Sequence, residues 1–209
     1  MEIVKPALPE VLEAAPAPGE WQEYMTACGC AAKGMDMTGR DFSNAKLSGA
    51  VLSGCRFAQC RAVGAVFTDV RFSSCDFSGA DLEKTAFIRC EFLSCKAVST
   101  VFADALWQHV YVEYSNFQGA DLTGSRLKNV LLCESGLQGA YLTECVISGL
   151  GLDKADLTRA SFFKTPLKGV DFTRSVIEGI ILEGAELKGA VVDSFQAAEL
   201  AKLLGLIVK

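Results

Sequence analysis

The sequence has a single histidine, His109, and four of its five prolines lie within the first 18 residues. One imidazole cannot supply the several histidines common in zinc sites, and no phosphate-binding glycine loop is present. No run approaches the ~18 uninterrupted apolar residues of a membrane-spanning helix, although mean hydropathy is +0.27. The N-terminus also lacks the basic start and apolar run of a secretory signal. We therefore expect a cytoplasmic protein without metal, cofactor or membrane anchor.

What the sequence contains instead is a five-residue repeat. From Met37 to Val192 every fifth residue is the large apolar centre of a unit, which gives 32 consecutive units without an insertion. The centres are mostly Leu and Phe, and the residue two positions earlier is Ala, Cys, Ser, Thr or Val in 28 units. A period of five fits neither a helix face nor strand alternation, so the pattern predicts a repeat architecture.

Each unit has two inward positions, the centre and the small residue before it, and cannot bury them alone. Only stacking on copies of itself can exclude water from the centres. If the chain turns a corner at each unit, four units close a square and twenty residues make one coil. The 32 units then predict about eight coils. Glycine occupies the position two residues after the centre in 13 units, which is typical of tight corners with unusual φ.

The pattern resembles the pentapeptide-repeat family, with that family's Ala-Asp-Leu core at residues 80–82, 120–122 and 155–157. The resemblance covers residues 37–192 and implies an all-β fold, a right-handed quadrilateral parallel β-helix with a short C-terminal helix. The tail, residues 192–198 and 203–208, is similar to that of the quinolone-resistance branch, the Qnr and MfpA proteins. In that branch the tail joins two rods end to end. Its members resemble B-form DNA and bind DNA gyrase or topoisomerase IV.

Three segments are predicted. Residues 1–20 form a Pro-rich extended arm, with at most a short helical turn at 10–14. Residues 21–192 form the β-helix. Residues 193–209 form a helix and a short strand that cap the rod, because Asp193 and Gln196 have capping-box spacing and Gly205 suits a helix end. The resemblance implies that this segment also makes a homodimer through Phe195, Leu200, Leu203, Leu204, Leu206 and Val208.

Nine cysteines raise the question of disulfides. Six of them occupy the small inward column, where Cys alternates with Ala and Ser, so burial explains them. Cys55, Cys75 and Cys95 are 20 residues apart and would stack ~4.8 Å from one another, wider than the ~3.5–4.5 Å between Cβ atoms in a disulfide. We predict free thiols.

The unbroken register assigns every outward residue to one of four faces. The face through Phe42, Leu82, Leu122 and Phe162, here called the acidic face, carries a net charge of −4. The next face, through Leu47, Phe87, Leu127 and Leu167, is the basic face and carries +4. The acids of the acidic face are Asp41, Asp81, Glu83, Asp104, Asp121, Glu144 and Glu183. The basic face has Lys46, Arg89, Arg126, Lys128, Lys168 and Lys188 against Asp69 and Glu186.

The resemblance implies that the acidic face binds a topoisomerase by imitating DNA phosphates. The alternative is that an aspartate before a centre only caps a local turn. Qnr proteins carry projecting loops, for which 32 unbroken units leave no room, so the chain is closer to the loopless MfpA layout.

An apolar belt of outward residues circles a little more than one coil. Contiguous exposed apolar surface usually indicates a contact, either with the N-terminal arm folded back or with a partner. The belt consists of Ile88, Leu93, Val98, Val101, Leu106, Tyr111 and Tyr114.

No catalytic constellation accompanies these surfaces, because His109 is alone and the acids lie on convex walls. We therefore expect a non-enzymatic protein. Two hypotheses remain: a dimeric DNA mimic that binds DNA gyrase or topoisomerase IV, and a structural or interaction rod with another protein partner.

Overall fold

The protein is described by a computed structural model that covers residues 2–203 and 205–208. The chain forms a parallel β-solenoid of about 7 turns. The ten strands are β1 Glu13–Ala14, β2 Thr26–Cys28, β3 Cys30–Lys33, β4 Lys46–Ser53, β5 Val66–Ser73, β6 Ala86–Ile88, β7 Glu91–Leu93, β8 Leu106–Glu113, β9 Arg126–Cys133 and β10 Val146–Asp153. Two 3₁₀ turns, Pro18–Glu20 and Ala185–Leu187, and the helix α1, Ser194–Leu203, complete the elements.

Successive coils pair with a constant offset of twenty residues. Leu47 lies beside Phe67, and Phe67 lies beside Phe87. The predicted coil length is thereby confirmed. The long strands β4, β5, β8, β9 and β10 each bend around one corner and cover two adjacent faces. The other two faces consist of turns joined by single bridges, such as Asp41 to Arg61 and Arg61 to Asp81.

Almost every corner of the described repeat has a residue in the left-handed region of φ, two positions after the centre; Arg174 and Ser194 are exceptions. Glycines such as Gly39 and Gly119 adopt it, but so do 18 other residues, among them Asp69, Lys84 and His109. Non-glycine residues in this region cost roughly 1–2 kcal/mol each. The geometry of the square coil therefore imposes the corner conformation, and glycine only makes it easier to form.

The core is a single shaft lined by the predicted centres and small residues. Phe57 and Phe77 stack at 5.0 Å between ring centroids, and Phe67 and Phe87 stack at 5.4 Å, one coil apart in each case. Trp107 is 1% exposed and packs against Phe87 at 5.0 Å. Stacked rings of this kind bury large apolar area without changing the coil spacing.

The final coil departs from the repeat, which leaves about seven turns rather than the eight predicted. A 3₁₀ turn replaces the expected straight segment at Ala185–Leu187, and Glu186 is buried at 6% exposure. Its carboxylate accepts the backbone N–H groups of Lys164, Glu183 and Gly184 at 2.9, 3.1 and 2.9 Å. The assignment of Glu186 to the outer surface of the basic face was wrong, because these donors hold the side chain inward.

The N-terminal arm is extended as predicted, but the suggested helical turn at 10–14 is wrong. Glu13 and Ala14 instead pair with β3, because the first coil offers a free strand edge there. Trp21 is buried and packs edge-on against Phe42 at 5.3 Å, with its Nε1 donating to the Pro16 carbonyl at 3.0 Å. This ring covers the N-terminal end of the shaft.

Candidate functional site

The aspartates that precede a centre cap local turns. Asp41 accepts the N–H and hydroxyl of Ser43 at 2.9 and 2.7 Å, and Asp121 accepts the N–H of Thr123 at 2.9 Å. Asp81 accepts the N–H of Glu83 at 3.2 Å. The Ser43 hydroxyl, foremost, holds the pKa of Asp41 below its ordinary value. The capping role proposed for these residues is thus present, and it leaves one oxygen of each carboxylate free for other contacts.

Several acids of the acidic face also form ion pairs. Asp41 lies 3.7 Å from Arg61 one coil away, and Glu144 lies 3.0 Å from Lys164. Glu83 pairs with its neighbour Lys84. Opposite charges recur at a spacing of twenty residues elsewhere too, as in Asp36 with Arg56, Asp69 with Arg89, and Glu134 with Lys154. These pairs reduce the charge that the acidic face presents.

Four acids of this face make no ion-pair contact among the residues that the structure describes. They are Asp81, Asp104, Asp121 and Glu183. Asp81 and Asp121 occupy the same column two coils apart, about 10 Å from each other at the usual strand spacing. Asp104 is an exposed corner residue whose carboxylate extends over Gly124, where a side chain would collide with it. Glu183 is also exposed, near the last coil.

The basic face keeps more of its charge. Arg89 is neutralised by Asp69 through two contacts of 2.7 and 2.6 Å. The remaining cations are exposed and have no ion-pair partner within residues 2–203 and 205–208. They are Lys46, Arg126, Lys128, Lys168 and Lys188.

The apolar belt runs around all four faces and is not gathered on one. Ile88, Leu93, Val98, Val101, Leu106 and Tyr111 are half-buried, and Tyr114 is 59% exposed. The arm reaches this coil at His109, whose Nδ1 accepts the Val4 N–H at 3.4 Å. A single extended arm covers at most part of a feature that circles the rod, so both the arm and a partner stay predictions for the belt.

The C-terminal segment divides its apolar residues between capping and exposure. The predicted capping box is confirmed, since Asp193 accepts the N–H of Gln196 at 2.9 Å and Gln196 accepts that of Asp193 at 3.1 Å. Gln196 also donates to the carbonyls of Phe172 and Ser175, both at 2.8 Å. The sequence carried no signal for this second contact, which ties α1 to the last coils.

Among the described residues predicted to form a dimer, Leu200 alone is buried, against the end of the shaft. Phe195 is 84% exposed, and Leu203, Leu206 and Val208 are between 47% and 59% exposed. Leu204 lies outside the described residues. The predicted strand after the helix is wrong, because Leu206–Val208 lie exposed without a neighbouring strand to pair with.

The cysteines are all free thiols. Cys90 is buried in the shaft, and desolvation raises the pKa of its thiol to about 12. The pKa values of Cys60 and Cys145 are raised to about 12 for the same principal reason. Only Cys28 is exposed. The most accessible thiol is therefore that of Cys28, in the first coil.

No group of three or more potential metal ligands occurs within the described part of the chain. None of its helices is long and apolar enough to cross a membrane.

A family model described as a pentapeptide repeat region matches residues 65–142. No curated protein sequence matches the chain. The fold is similar to that of a trypsin-treated variant of QnrB1, a plasmid-mediated fluoroquinolone resistance protein, with a TM-score of 0.57 and 24% identity over 88% of this chain and 99% of that one. HetL, a pentapeptide repeat protein involved in heterocyst differentiation regulation in the cyanobacterium Nostoc, aligns with 20% identity over 84% and 92% of the two chains, at a TM-score of 0.30. The chain thus contains a pentapeptide repeat region, matched over residues 65–142, within a solenoid whose fold is similar to that of QnrB1.

Proposed function

We propose that the chain is a non-catalytic, dimeric interaction protein that binds a type II topoisomerase, DNA gyrase or topoisomerase IV, through its acidic face. The observation that carries the proposal is the stripe of Asp81, Asp104 and Asp121, which make no ion-pair contact in the described chain while neighbouring acids are paired. A surface that binds duplex DNA attracts phosphates mainly through charge, so a rigid acidic rod can occupy the same surface. The likeness to QnrB1, a fluoroquinolone resistance protein, supports this choice of partner.

Dimerisation is part of the same proposal. The exposed Phe195, Leu203, Leu206 and Val208 lie at the C-terminal end of the chain. Leu206 lines an apolar cleft of about 230 Å³ between α1 and the last coil, and Phe195 lines a second cleft of about 470 Å³ beside Val176 and Ile177. Side chains of this size rarely stay in water on a monomer when they are grouped at one end of the molecule. A second copy joined end to end would bury them and would double the length of the acidic face.

A supercoiling assay with purified gyrase and the full chain tests the proposal. Wild-type protein should inhibit supercoiling, and added duplex DNA should relieve the inhibition by competition. The triple variant Asp81→Asn, Asp104→Asn, Asp121→Asn removes three charges but keeps amide oxygens that can still cap the turns. Its half-inhibitory concentration should rise about tenfold or more, since three charged contacts of ~0.5 kcal/mol each amount to one decade in affinity.

The matched control is Asp36→Asn, Asp76→Asn, Asp156→Asn. These aspartates make the same caps, to Thr38, Ser78 and Thr158, on a different face. The control variant should inhibit like the wild type. Equal losses in both triple variants would show that overall charge matters and not the acidic face. No inhibition by the wild type would favour the other hypothesis, an interaction rod with a different protein partner.

Self-association is measured separately by sedimentation velocity. The Phe195→Ser, Leu206→Ser variant should sediment as a monomer. Val146→Ser, a control on the side of the rod where the side chain is 61% exposed, should leave the dimer intact. A monomeric wild type at tens of micromolar would refute the dimer.

A further inference from the structure

One corner of the solenoid forms a channel along the rod axis. We call it the corner column; it is the position at which each long strand bends, and its residues are Gly29, Gly49, Asp69, Arg89, His109, Asn129, Gly149, Gly169 and Gly189. Glycines occupy both ends of this column, so the channel lacks side chains there.

The chain's own arm fills one half of the corner column. Pro9 lies over Gly49, where an added methyl group would come within 3.2 Å of the proline ring. The Ala7 N–H donates to Asp69 at 2.9 Å, and the Val4 N–H donates to His109 at 3.4 Å. The channel thus holds an extended peptide whose backbone N–H groups are bound by column side chains.

The other half is open. At the end of the arm the channel continues as a cleft of about 580 Å³, lined by Glu2 and Val4 of the arm and by His109, Asn129, Ser148 and Gly149. Further along, a methyl group built at Gly169 would meet no atom within 4 Å. Within the described chain, nothing takes the place that the arm has at the other end.

Positive charge lies along one side of the open half. Lys128, Lys168 and Lys188 form one line along it, adjacent to the column, and all three are exposed without an ion-pair partner among the described residues. The stem of Lys168 leans over Gly189, since a methyl group there would lie 3.1 Å from its Cγ. Glu186, the acid nearest to them in sequence, is turned inward and is held by backbone donors.

We propose that the open half of the corner column binds an extended acidic peptide segment of a partner protein. The bound arm shows how an extended peptide lies in the channel, with its backbone N–H groups held by column side chains. The lysines favour a peptide that carries carboxylates. Lys128 and Lys188 are three coils apart, about 14 Å, which four or five extended residues span. The surface is separate from the acidic face and does not depend on the topoisomerase proposal.

A peptide fits this surface better than a nucleic acid does. The chain has a net charge of −5, and the neighbouring face is acidic. A long polyanion laid across the three lysines would meet repulsion within a Debye length, about 8–10 Å, on either side. A short segment confined to the channel avoids that repulsion.

Fluorescence anisotropy of a labelled decaglutamate peptide, titrated with the full chain at low ionic strength, tests the proposal. The peptide should bind, and its affinity should fall with added salt. The variant Lys128→Gln, Lys168→Gln, Lys188→Gln should bind about tenfold more weakly or worse. The matched control Lys33→Gln, Arg40→Gln, Lys46→Gln removes three exposed cations without an ion-pair partner in the described chain, at the other end of the rod, and should bind within about twofold of wild type.

A steric variant separates the channel from the charge. Gly169→Asn keeps every cation and places a side chain in the channel, and Asn129 shows that asparagine is accepted at this column with φ of 53°. It should weaken peptide binding while the circular dichroism spectrum stays like wild type and stability falls by no more than the roughly 1–2 kcal/mol of a left-handed non-glycine residue.

Four outcomes would overturn the proposal. They are no binding of decaglutamate, equal loss in the two triple variants, unchanged binding by Gly169→Asn, and tighter binding of a ten-nucleotide single-stranded DNA that the Lys128, Lys168 and Lys188 substitutions abolish. The last would assign the surface to nucleic acid. Self-association that the same substitutions abolish, in place of peptide binding, would assign it to the arm of a second copy.

Discussion

The carboxylate of Glu186 accepts the backbone N–H of Lys164 at 2.9 Å, where a regular coil would supply a carbonyl oxygen. The side chain thereby completes the hydrogen bonding of the coil beneath it while the chain makes a 3₁₀ turn. Burial acts to raise the pKa of Glu186, but the backbone donors around it outweigh burial and lower that pKa.

Replacing Glu186 should therefore weaken the C-terminal end of the rod. Glu186→Ala leaves three part-buried N–H groups without their acceptor, which together should cost about 1–3 kcal/mol of stability, the amount for a single fully buried group. The free energy of unfolding from urea titration should fall by that amount. Glu178→Gln, an exposed control in the coil before, should change it by less than about 0.5 kcal/mol. A loss in the control as large as that in Glu186→Ala would contradict the role assigned here.

Asp69 should hold the arm on the solenoid. Asp69→Gly removes the acceptor of the Ala7 N–H at a corner where glycine is conformationally free. Hydrogen exchange of the Ala7 amide should quicken about five- to tenfold, which corresponds to one hydrogen bond of ~1 kcal/mol. Asp104→Gly, a corner on another face, should leave that amide unchanged. The same exchange rate in all three proteins would show that the arm is held in another way.

The ion pair between Asp69 and Arg89 should make the free energy of unfolding depend on pH in the acid range. The Arg89 guanidinium, foremost, holds the pKa of Asp69 below its ordinary value of 3.8. A depressed carboxyl pKa stabilises the folded state above 3.8, and the contribution is lost as the pH falls through the folded pKa. The stability difference between wild type and Asp69→Asn should thus be present at pH 7 and shrink below about pH 3. An unchanged difference at low pH would refute the linkage.

The thiols should divide sharply by reactivity. At pH 8 a thiol reagent should modify Cys28 within minutes in the native protein, whereas the shaft thiols should react only on unfolding, since the pKa of Cys90 is about 12. Denatured protein should give nine thiols with or without reductant. Fewer without reductant would indicate disulfides and a different core.

Trp107 should tolerate a smaller ring better than truncation. Its Nε1 is buried without a hydrogen-bond partner among the described residues. Trp107→Phe removes the unsatisfied N–H, which stabilises the fold, and buries less ring area, which destabilises it, while the contact with Phe87 is kept. The two effects on the free energy of unfolding should offset one another within about 1 kcal/mol. Trp107→Ala should cost about 3–5 kcal/mol by leaving a cavity. Thermal unfolding of both variants provides the comparison, and equal losses would show that the indole N–H carries no penalty.

The fold was predictable because its information is local and repeated. A large centre every five residues, such as Leu82 or Leu122, and a small residue two positions earlier leave stacking as the only way to bury the shaft. The ion pairs between coils could also have been predicted from the sequence, because Asp69 and Arg89 are twenty residues apart and stack in the predicted register. A search for opposite charges at that spacing would have found them.

Some features were decided only by the tertiary structure. They lie where the repeat ends or where another segment of the chain crosses it. The path of the arm over Gly49, the inward turn of Glu186 and the second contact of Gln196 each depend on groups brought together from distant or irregular segments. The sequence by itself determined the twenty-residue coil, because every unit repeats the same burial problem. The arm, the cap and the open channel each depend on contacts that occur only once, so they leave no periodic pattern in the sequence. Only the folded chain shows which donors meet which acceptors.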